Sequence, residues 1–225
     1  MKLTIFNGSP RGKSSNTSVL AKWIAEGAGR AARIEYEEVY LAKTGEHGAY
    51  VKKFAESDIS LITFPLYTDS MPGIVTAFIG ELQPFTGKMK GKKLGFEVHS
   101  GFPEAEHSRH VEKYLVRLAE ILGADYIGTI VMGTSEPIRF IPESSQAKKR
   151  ERFAKLGESM IREGAFDGET LKELARPEKL TGFILVMYRF AVLTGVISMY
   201  FKSLLKKNKA LKDSFARPYE DEIRQ

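Results

Sequence analysis

Residues 3–17, LTIFNGSPRGKSSNT, contain the pattern that decides the fold. An apolar run from Leu3 to Phe6 is followed by a polar loop, and a helical-looking stretch begins near Thr17 where the loop ends. A strand that passes through such a loop into a helix is the opening unit of an α/β fold. The backbone amides and hydroxyls of the loop are expected to face a phosphate group.

The chain up to about residue 135 repeats this alternation of short apolar runs and longer amphipathic ones. The pattern predicts a doubly wound parallel sheet with helices on both faces. The expected strands are Lys2–Asn7, Arg33–Tyr40, Ser60–Pro65, Lys93–His99 and Tyr126–Met132. The expected helices are Thr17–Gly29, Ala49–Ser57, Pro72–Gln83, Glu104–Leu122, closed by Gly123, and Ser144–Glu163, opened by Ser144. Ligands of such sheets bind beyond the carboxyl ends of the strands, which makes loops 8–16, 66–71, 100–104 and 133–136 the candidate site.

Composition narrows the class of protein. The 225 residues are 43% hydrophobic, which is enough for an ordinary core, and their net charge is +6. The absence of cysteine excludes disulfides, thiolate metal sites, cysteine-ligated iron–sulfur clusters and a cysteine nucleophile. The first residues lack a signal-peptide pattern, so a cytoplasmic location is expected. No nucleic-acid partner is expected, because the chain shows no alternation of aromatic and basic residues.

The spacing of the glycines restricts which phosphate-bearing ligand the loop can bind. A P-loop needs four residues between its glycines, whereas three separate Gly8 from Gly12, and the dinucleotide pattern needs a second glycine two positions after Gly8. Hydroxyls, amides and Arg11 before a helix suit a single terminal monophosphate, the group in which flavin mononucleotide (FMN) ends. A polar helix cap without a ligand is the alternative, and a nucleotide kinase that uses Lys13 is a weaker one.

Two stretches carry a resemblance to a known family. Asn7–Arg11 together with Ser15–Thr17 resembles the first-loop signature of the NADPH-dependent FMN reductase family, a flavodoxin-like group, and residues 65–72, PLYTDSMP, resemble its P-x-Y loop and following helix. The resemblance covers roughly the first 160 residues. The chain lacks the cysteines that bind a cluster in the family's iron–sulfur branch. The resemblance implies a five-stranded sheet in the order 2-1-3-4-5, bound FMN, NAD(P)H as co-substrate, and a homodimer whose partner subunit walls part of the pocket.

The resemblance also implies which residues bind the cofactor. The phosphate would be held by Ser9, Arg11, Ser15, Asn16 and Thr17, and the isoalloxazine ring would be lined by Pro65, Leu66, Tyr67, Thr68 and Asp69. His99, Ser100 and Gly101 follow the fourth strand and are expected at the pyrimidine edge of the ring or at its nicotinamide face. Tyr67 either stacks on the ring or closes its loop over the sheet edge, and His99 either contacts the ring or bonds a neighbouring carbonyl. No catalytic side chain is expected, because the flavin carries the chemistry.

Acidic and histidine residues outside the phosphate loop give weaker signals. Glu104, Glu106, His107 and His110 stand close together at an expected helix start. Acids are common at helix starts and a metal site needs more ligands, so no metal is expected. Asp69 and Glu136 either form a carboxylate pair across the site or are solvated separately.

The chain after residue 165 breaks the alternation and is expected to form a helical extension, residues 166–225, beside an FMN-binding domain of residues 1–165. Gly182–Phe201 is an almost unbroken apolar run whose only charge is Arg189, and five lysines without an acid occupy 202–212. One interpretation is a bilayer span, or peripheral membrane contact through 182–212, but a central arginine costs about 2.5–3.5 kcal/mol. The other is packing against a partner helix or across a dimer. It rests on the 4-3 spacing of Phe183, Met187, Phe190, Thr194, Ile197, Phe201 and Leu204.

The predicted function is that of an oxidoreductase that passes hydride from NAD(P)H through bound FMN to a small-molecule acceptor. Candidate acceptors are a quinone, a flavin, a nitro or azo compound, or a metal ion. The alternative is a non-catalytic electron carrier of the flavodoxin type. Such carriers usually present an acidic docking face, and the net charge of +6 argues against one here.

Overall fold

A computed structural model describes residues 1–217 of the chain, without the side chains of Ile197 and Tyr200. It divides into two compact units, Met1–Lys179 and the residues from Leu180 onward. The sequence placed this boundary after residue 165, but the helix that follows packs against the last strand and so belongs to the first unit. Residues 218–225 of the predicted extension lie outside the described part of the chain.

The first unit is built on a five-stranded parallel sheet in the predicted order, β2-β1-β3-β4-β5. The strands are β1 (Lys2–Asn7), β2 (Glu35–Tyr40), β3 (Ile59–Pro65), β4 (Lys93–His99) and β5 (Asp125–Met132). β1 and β4 have the predicted bounds, and the other three begin within two residues of them. All five strands therefore direct their carboxyl ends, and the loops that follow, to one edge of the sheet.

Six helices belong to this unit. They are α1 (Asn16–Ala31), α2 (His47–Glu56), α3 (Gly73–Glu81), α4 (Arg109–Leu122), α5 (Ala147–Arg162) and α6 (Gly168–Leu174). One apolar layer lies between the sheet and α2, α3 and α4, and a second lies between the other face and α1, α5 and α6. The sheet is thus covered on both faces, as predicted for a doubly wound fold.

Two helices begin three or more residues later than predicted. α4 starts at Arg109 because Ala105–Ser108 forms a 3-10 turn, in which the amides of Ala105 and Glu106 donate to the carbonyls of Pro177 and Glu178. α5 starts at Ala147, so Ser144 is not its cap. Ser144 lies within a 3-10 turn, Glu143–Gln146, and the side-chain amide of Gln146 donates to the carbonyls of Ile138 and Ile141. Gly123 ends α4 as predicted.

The described part of the second unit, residues 180–217, contains two helices where the sequence suggested one apolar run. α7 (Gly182–Leu193) and α8 (Val196–Lys207) pack against each other and are separated by Thr194 and Gly195. Gly195 has a φ of 74°, in the left-handed region that glycine adopts without strain. The predicted 4-3 stripe is therefore divided between two helices, and the side chain of its member Ile197 lies outside the description. Within residues 1–217, every helix is too short or too polar to cross a bilayer, which corrects the spanning interpretation.

Candidate functional site

Asn7 fixes the start of the loop between β1 and α1. Its side chain is buried, with Oδ1 accepting from the amide of Ser9 at 2.9 Å. Its Nδ2 donates to the Oγ of Ser18 at 3.0 Å and to the Oε1 of Glu38 at 2.8 Å. The loop is therefore held between β1, α1 and β2 before any ligand binds.

The serines of this loop differ in what they can offer a ligand. Ser15 caps α1: its Oγ accepts from the amide of Ser18 at 3.1 Å and donates to the carbonyl of Gly12 at 2.6 Å. Because a hydroxyl has one proton, Ser15 has none left for an anion. The Oγ of Ser9 accepts from the amide of Arg11 at 3.3 Å, and its own proton is available to a ligand. Arg11 lies at the rim, where a guanidinium nitrogen is 3.8 Å from Glu136 Oε1.

Asn16 and Thr17, also predicted to bind phosphate, use their side chains to attach α1 to the rest of the unit. The Nδ2 of Asn16 donates to the carbonyls of Ser135 and Glu136, and its Oδ1 accepts from the amide of Arg139. The Oγ1 of Thr17 lies 2.8 Å from the Nε2 of His99. The first amides of a helix have no carbonyl partner within it, so the start of α1 still presents backbone donors.

A chain of hydrogen bonds sets the protonation of His99. The hydroxyl of Ser135 donates to the carbonyl of Ser100 at 2.8 Å, so it must accept from His99, whose Nδ1 is also 2.8 Å away. His99 therefore carries its proton on Nδ1, and Nε2 accepts from the hydroxyl of Thr17. Burial lowers the pKa of His99 to about 3, which keeps the ring neutral. Both ring nitrogens are thus occupied within the protein.

The loop after β3 forms a tight two-residue turn beside this histidine. The amide of Leu66 donates to the carbonyl of His99 at 2.8 Å, and Tyr67 and Ser70 exchange two backbone hydrogen bonds. Thr68 and Asp69 at the turn have φ values of 51° and 55°, which non-glycine residues rarely adopt. Such strain is found at functional sites, where the surrounding structure holds it. The turn leaves the Tyr67 side chain 45% exposed.

Asp69 and Glu136 do not share a partner. The Oδ1 of Asp69 lies 3.2 Å from the Nδ1 of His107, whereas Glu136 faces Arg11. The ring of His107 also stacks on Phe102, with 4.5 Å between ring centroids. This contact series joins the turn after β3 to the loop after β4, so it orders the rim of the site.

The loops after β1, β3, β4 and β5 meet at one cavity at the carboxyl edge of the sheet. Its lining consists of Ser9, Arg11, Ser15, Asn16, Pro65, Leu66, Tyr67, His99, Ser100, Gly101, Ser135 and Glu136. Of the residues predicted to bind the cofactor, Thr17, Thr68 and Asp69 lie outside this lining, and Asp69 instead borders a second pocket with Met71 and Tyr114. Ser135 and Glu136 were not among the predicted binding residues, although their loop was identified by its place after β5.

Comparisons with known proteins agree with this fold. Residues 1–156 match a family model described as a flavodoxin-like fold. A comparison with curated protein sequences gives no significant match.

Among solved structures, an FMN-dependent NADH-azoreductase from Bacillus anthracis str. Ames Ancestor, in complex with FMN, is 13% identical over 72% of this chain and 100% of its own, with a TM-score of 0.55. An NADH:FMN oxidoreductase (EMOB) in its apo form is 15% identical over 78% of this chain and 96% of its own, with a TM-score of 0.57. An NADPH-quinone reductase from P. pentosaceus is 15% identical over 69% of this chain and 96% of its own, with a TM-score of 0.53. At these identities the likeness concerns the fold.

Proposed function

We propose that this chain, which belongs to the family with the flavodoxin-like fold, is an FMN-dependent oxidoreductase that passes reducing equivalents from NAD(P)H to a small-molecule acceptor. The observation that carries the proposal is the single cavity in which the loop after β1, the turn after β3 and the loop after β4 meet. Proteins of this fold include an azoreductase in complex with FMN and an NADPH-quinone reductase, which supports the choice of reaction.

The donors around the loop after β1 fit a terminal monophosphate. The amides at the start of α1, the free proton of the Ser9 hydroxyl and the Arg11 guanidinium can each donate to a phosphate oxygen. The hydroxyls of Ser15 and Thr17 donate elsewhere, so the proposed phosphate site consists mainly of backbone amides. Ser15, Asn16 and Thr17 support it by fixing the position of α1.

The other two loops fit a planar ring. Pro65, Leu66 and Tyr67 present one wall, and the half-exposed aromatic side chain of Tyr67 can lie against a ring face. The amide of Ser100 donates to the carbonyl of Met132, which leaves the amide of Gly101 as the proposed donor to the pyrimidine edge. Thr68 and Asp69 shape the turn and are proposed to act through Tyr67.

No side chain is assigned as a catalytic acid or base. When bound, FMN would supply the redox chemistry, the uptake of hydride from NAD(P)H and the release of electrons to the acceptor. His99 lines the cavity, but both of its nitrogens are occupied by Ser135 and Thr17. We therefore assign His99 a positioning role: it holds the start of α1 beside the carboxyl ends of β4 and β5.

The acceptor is proposed to be a quinone or an azo compound, with free flavin, nitro compounds and metal ions as the other candidates. These compounds share the ability to accept electrons from a reduced flavin without a dedicated side chain in the protein. NADH and NADPH are both candidate co-substrates, and the test below uses both.

The test is to mix the FMN-loaded chain with NADH or NADPH without oxygen in a stopped-flow instrument. Bleaching of the visible flavin absorbance within seconds, followed by recovery when a quinone or azo dye is added, is the expected result. Flavin that binds but is not bleached by either nucleotide would support the electron carrier instead. Failure of the chain to bind either FMN or riboflavin would exclude both the reductase and the electron carrier.

Two further predictions accompany the reductase proposal. We propose a homodimer in which the partner subunit walls part of the cavity, and a cytoplasmic location. Light scattering of the full chain, with and without FMN, measures the mass in solution, and a monomer at all micromolar concentrations would contradict the dimer.

A further inference from the structure

The second unit exposes apolar side chains around both of its helices. No residue of α7 is buried, and Phe183 and Leu193 are 77% and 85% exposed. On α8, Met199 and Phe201 are 69% and 62% exposed. Soluble proteins rarely leave so many neighbouring apolar side chains in water. Where a large apolar patch is exposed, it usually marks a binding surface. A partner is therefore expected to cover this unit.

From residue 180 to residue 212, all charged side chains of the second unit are positive. Residues 180–212 contain no aspartate or glutamate, and their cations are Arg189, Lys202, Lys206, Lys207, Lys209 and Lys212. The stretch between the first two cations, FAVLTGVISMYF, carries no charge and contains the turn between the helices. We call this stretch, residues 190–201, the apolar cap.

The charges that bound the apolar cap lie at similar distances from the turn along their two helices. Arg189 precedes Gly195 by six positions and Lys202 follows it by seven, so each lies about 10 Å from the turn at about 1.5 Å per residue. Interfacial helices insert their apolar faces about 5–10 Å into a bilayer. In a single spanning helix Arg189 would lie near the middle of the bilayer, whereas here it lies at the base of the apolar cap. Long cationic side chains at that level extend to the lipid phosphates.

From these features we propose that the second unit is a peripheral membrane anchor, in which the apolar cap enters an anionic lipid surface and the lysines of α8 contact its headgroups. The apolar cap suits the acyl chains of such a membrane, and the lysines suit its negatively charged phosphates. Self-association through residues 180–212 fits less well, since it would bring cations together with no acid in that range. The anchor is independent of the proposed redox function, because it concerns the second unit alone.

The first experiment measures co-sedimentation of the full chain with vesicles. Vesicles of phosphatidylcholine with about 30% phosphatidylserine are compared with phosphatidylcholine alone, at low salt and at about 0.5 M salt. Binding is expected to be at least tenfold stronger to the anionic vesicles and to weaken at high salt. No binding to the anionic vesicles at low salt would overturn the proposal.

Substitutions at the turn test the depth of insertion. The only native tryptophan, Trp23, is fully buried in the first unit and gives a constant fluorescence background. Leu193→Trp is expected to shift its emission to the blue on anionic vesicles and to be quenched by lipids brominated on their acyl chains. The matched control, Ile121→Trp, places the reporter at a 44% exposed apolar position of α4 and is expected to show neither change. The same response from both positions would contradict insertion through the apolar cap.

Charge variants separate the membrane from a second copy of the chain. Leu193→Glu is expected to abolish vesicle binding, Lys206→Gln to weaken it about fivefold, and the control Ile121→Glu to leave it unchanged. Leu193 is almost fully exposed, so its replacement does not disturb packing within the unit. If the wild type instead self-associates without vesicles, binds none of them, and loses that association in Leu193→Glu, the occupant is a second copy and the membrane proposal is wrong.

Discussion

The Nε2 atom of His99 lies 2.8 Å from the Oγ1 atom of Thr17, so the end of β4 and the first turn of α1 are joined by a side-chain hydrogen bond in the interior. The proton on this bond belongs to Thr17, because the single proton of the neutral His99 ring is donated to Ser135. A second proton on His99 would make Nε2 a donor, and the Thr17 hydroxyl would then have to turn and accept. In its neutral state the buried ring holds the start of α1 beside the end of β4 through this bond.

Acid is expected to weaken folding through His99. The pKa of His99 is about 3 in the folded chain against 6.5 for an ordinary histidine, so the folded state binds fewer protons than the unfolded state. This stabilisation is fully present above about pH 6.5 and is lost as the pH falls towards 3, at up to about 1.4 kcal/mol per pH unit. Urea unfolding of the wild type and of His99→Gln between about pH 7 and 5 measures it, and the wild type should lose stability more steeply. Parallel curves would contradict this assignment.

The phosphate site is expected to depend on Ser9 and Arg11. Ser9→Ala removes a neutral donor and should weaken FMN binding about tenfold, and Arg11→Gln, at the solvent-exposed rim, should weaken it about fivefold at low salt. Riboflavin, which has no phosphate, should bind both variants as it binds the wild type. Fluorescence titration of each variant with both flavins measures the constants.

Lys13→Gln is the matched control for the phosphate variants. Lys13 is an exposed cation of the same loop and is outside the cavity lining, so its replacement should leave FMN affinity nearly unchanged. An equal loss of FMN and riboflavin affinity in Ser9→Ala would mean that Ser9 supports the loop without contacting phosphate.

The strands and the edge that carries the candidate site were predictable because their signals are local in the sequence. β1 is a short apolar run that ends at Asn7, and α4 ends at Gly123, so these bounds followed from patterns a few residues long, whereas the strand order was implied by the family resemblance. The side-chain partners of the loop residues were not predictable. Asn16 bonds Ser135, far along the chain, and a local pattern of polar residues does not distinguish a ligand contact from such an internal bond.

The break between α7 and α8 was missed for a different reason. A single glycine inside an apolar run is compatible with a continuous helix, and Gly195 is followed at once by further apolar residues. What ends α7 is the left-handed conformation of Gly195, which composition does not reveal. The error changed the interpretation of Arg189, which had been placed at the centre of one long segment.

Glu97 is expected to make folding less favourable as the pH rises. Its carboxyl group is fully buried, and within residues 1–217 neither of its oxygens has a hydrogen-bond partner. Burial raises the pKa of Glu97 well above 4.5, so the folded state retains a proton that the unfolded state releases. The stabilisation is therefore fully present below about pH 4.5 and decreases as the pH rises towards the folded pKa.

Glu97→Gln removes this titration while keeping the shape of the side chain. The free energy of unfolding of Glu97→Gln minus that of the wild type should grow as the pH rises above about 4.5, at up to about 1.4 kcal/mol per pH unit, as measured by urea unfolding. Glu120→Gln, at a surface carboxylate paired with Arg117, should show a nearly constant difference. A constant difference for Glu97→Gln as well would mean that the buried carboxyl finds a partner when ionised.

The contact between α1 and α5 is expected to be much more sensitive at Gly27 than at Gly29. A Cβ atom on Gly27 would lie 1.8 Å from the carbonyl oxygen of Ala154, so Gly27→Ala must push α5 away and should lower the free energy of unfolding by about 1–3 kcal/mol or more. A Cβ on Gly29, two positions further along α1, meets no atom within 4 Å. Gly29→Ala should therefore raise stability by about 0.5–1 kcal/mol, because alanine favours the helix. Urea unfolding measures both, and shifts in the same direction would show that α1 does not approach α5 this closely.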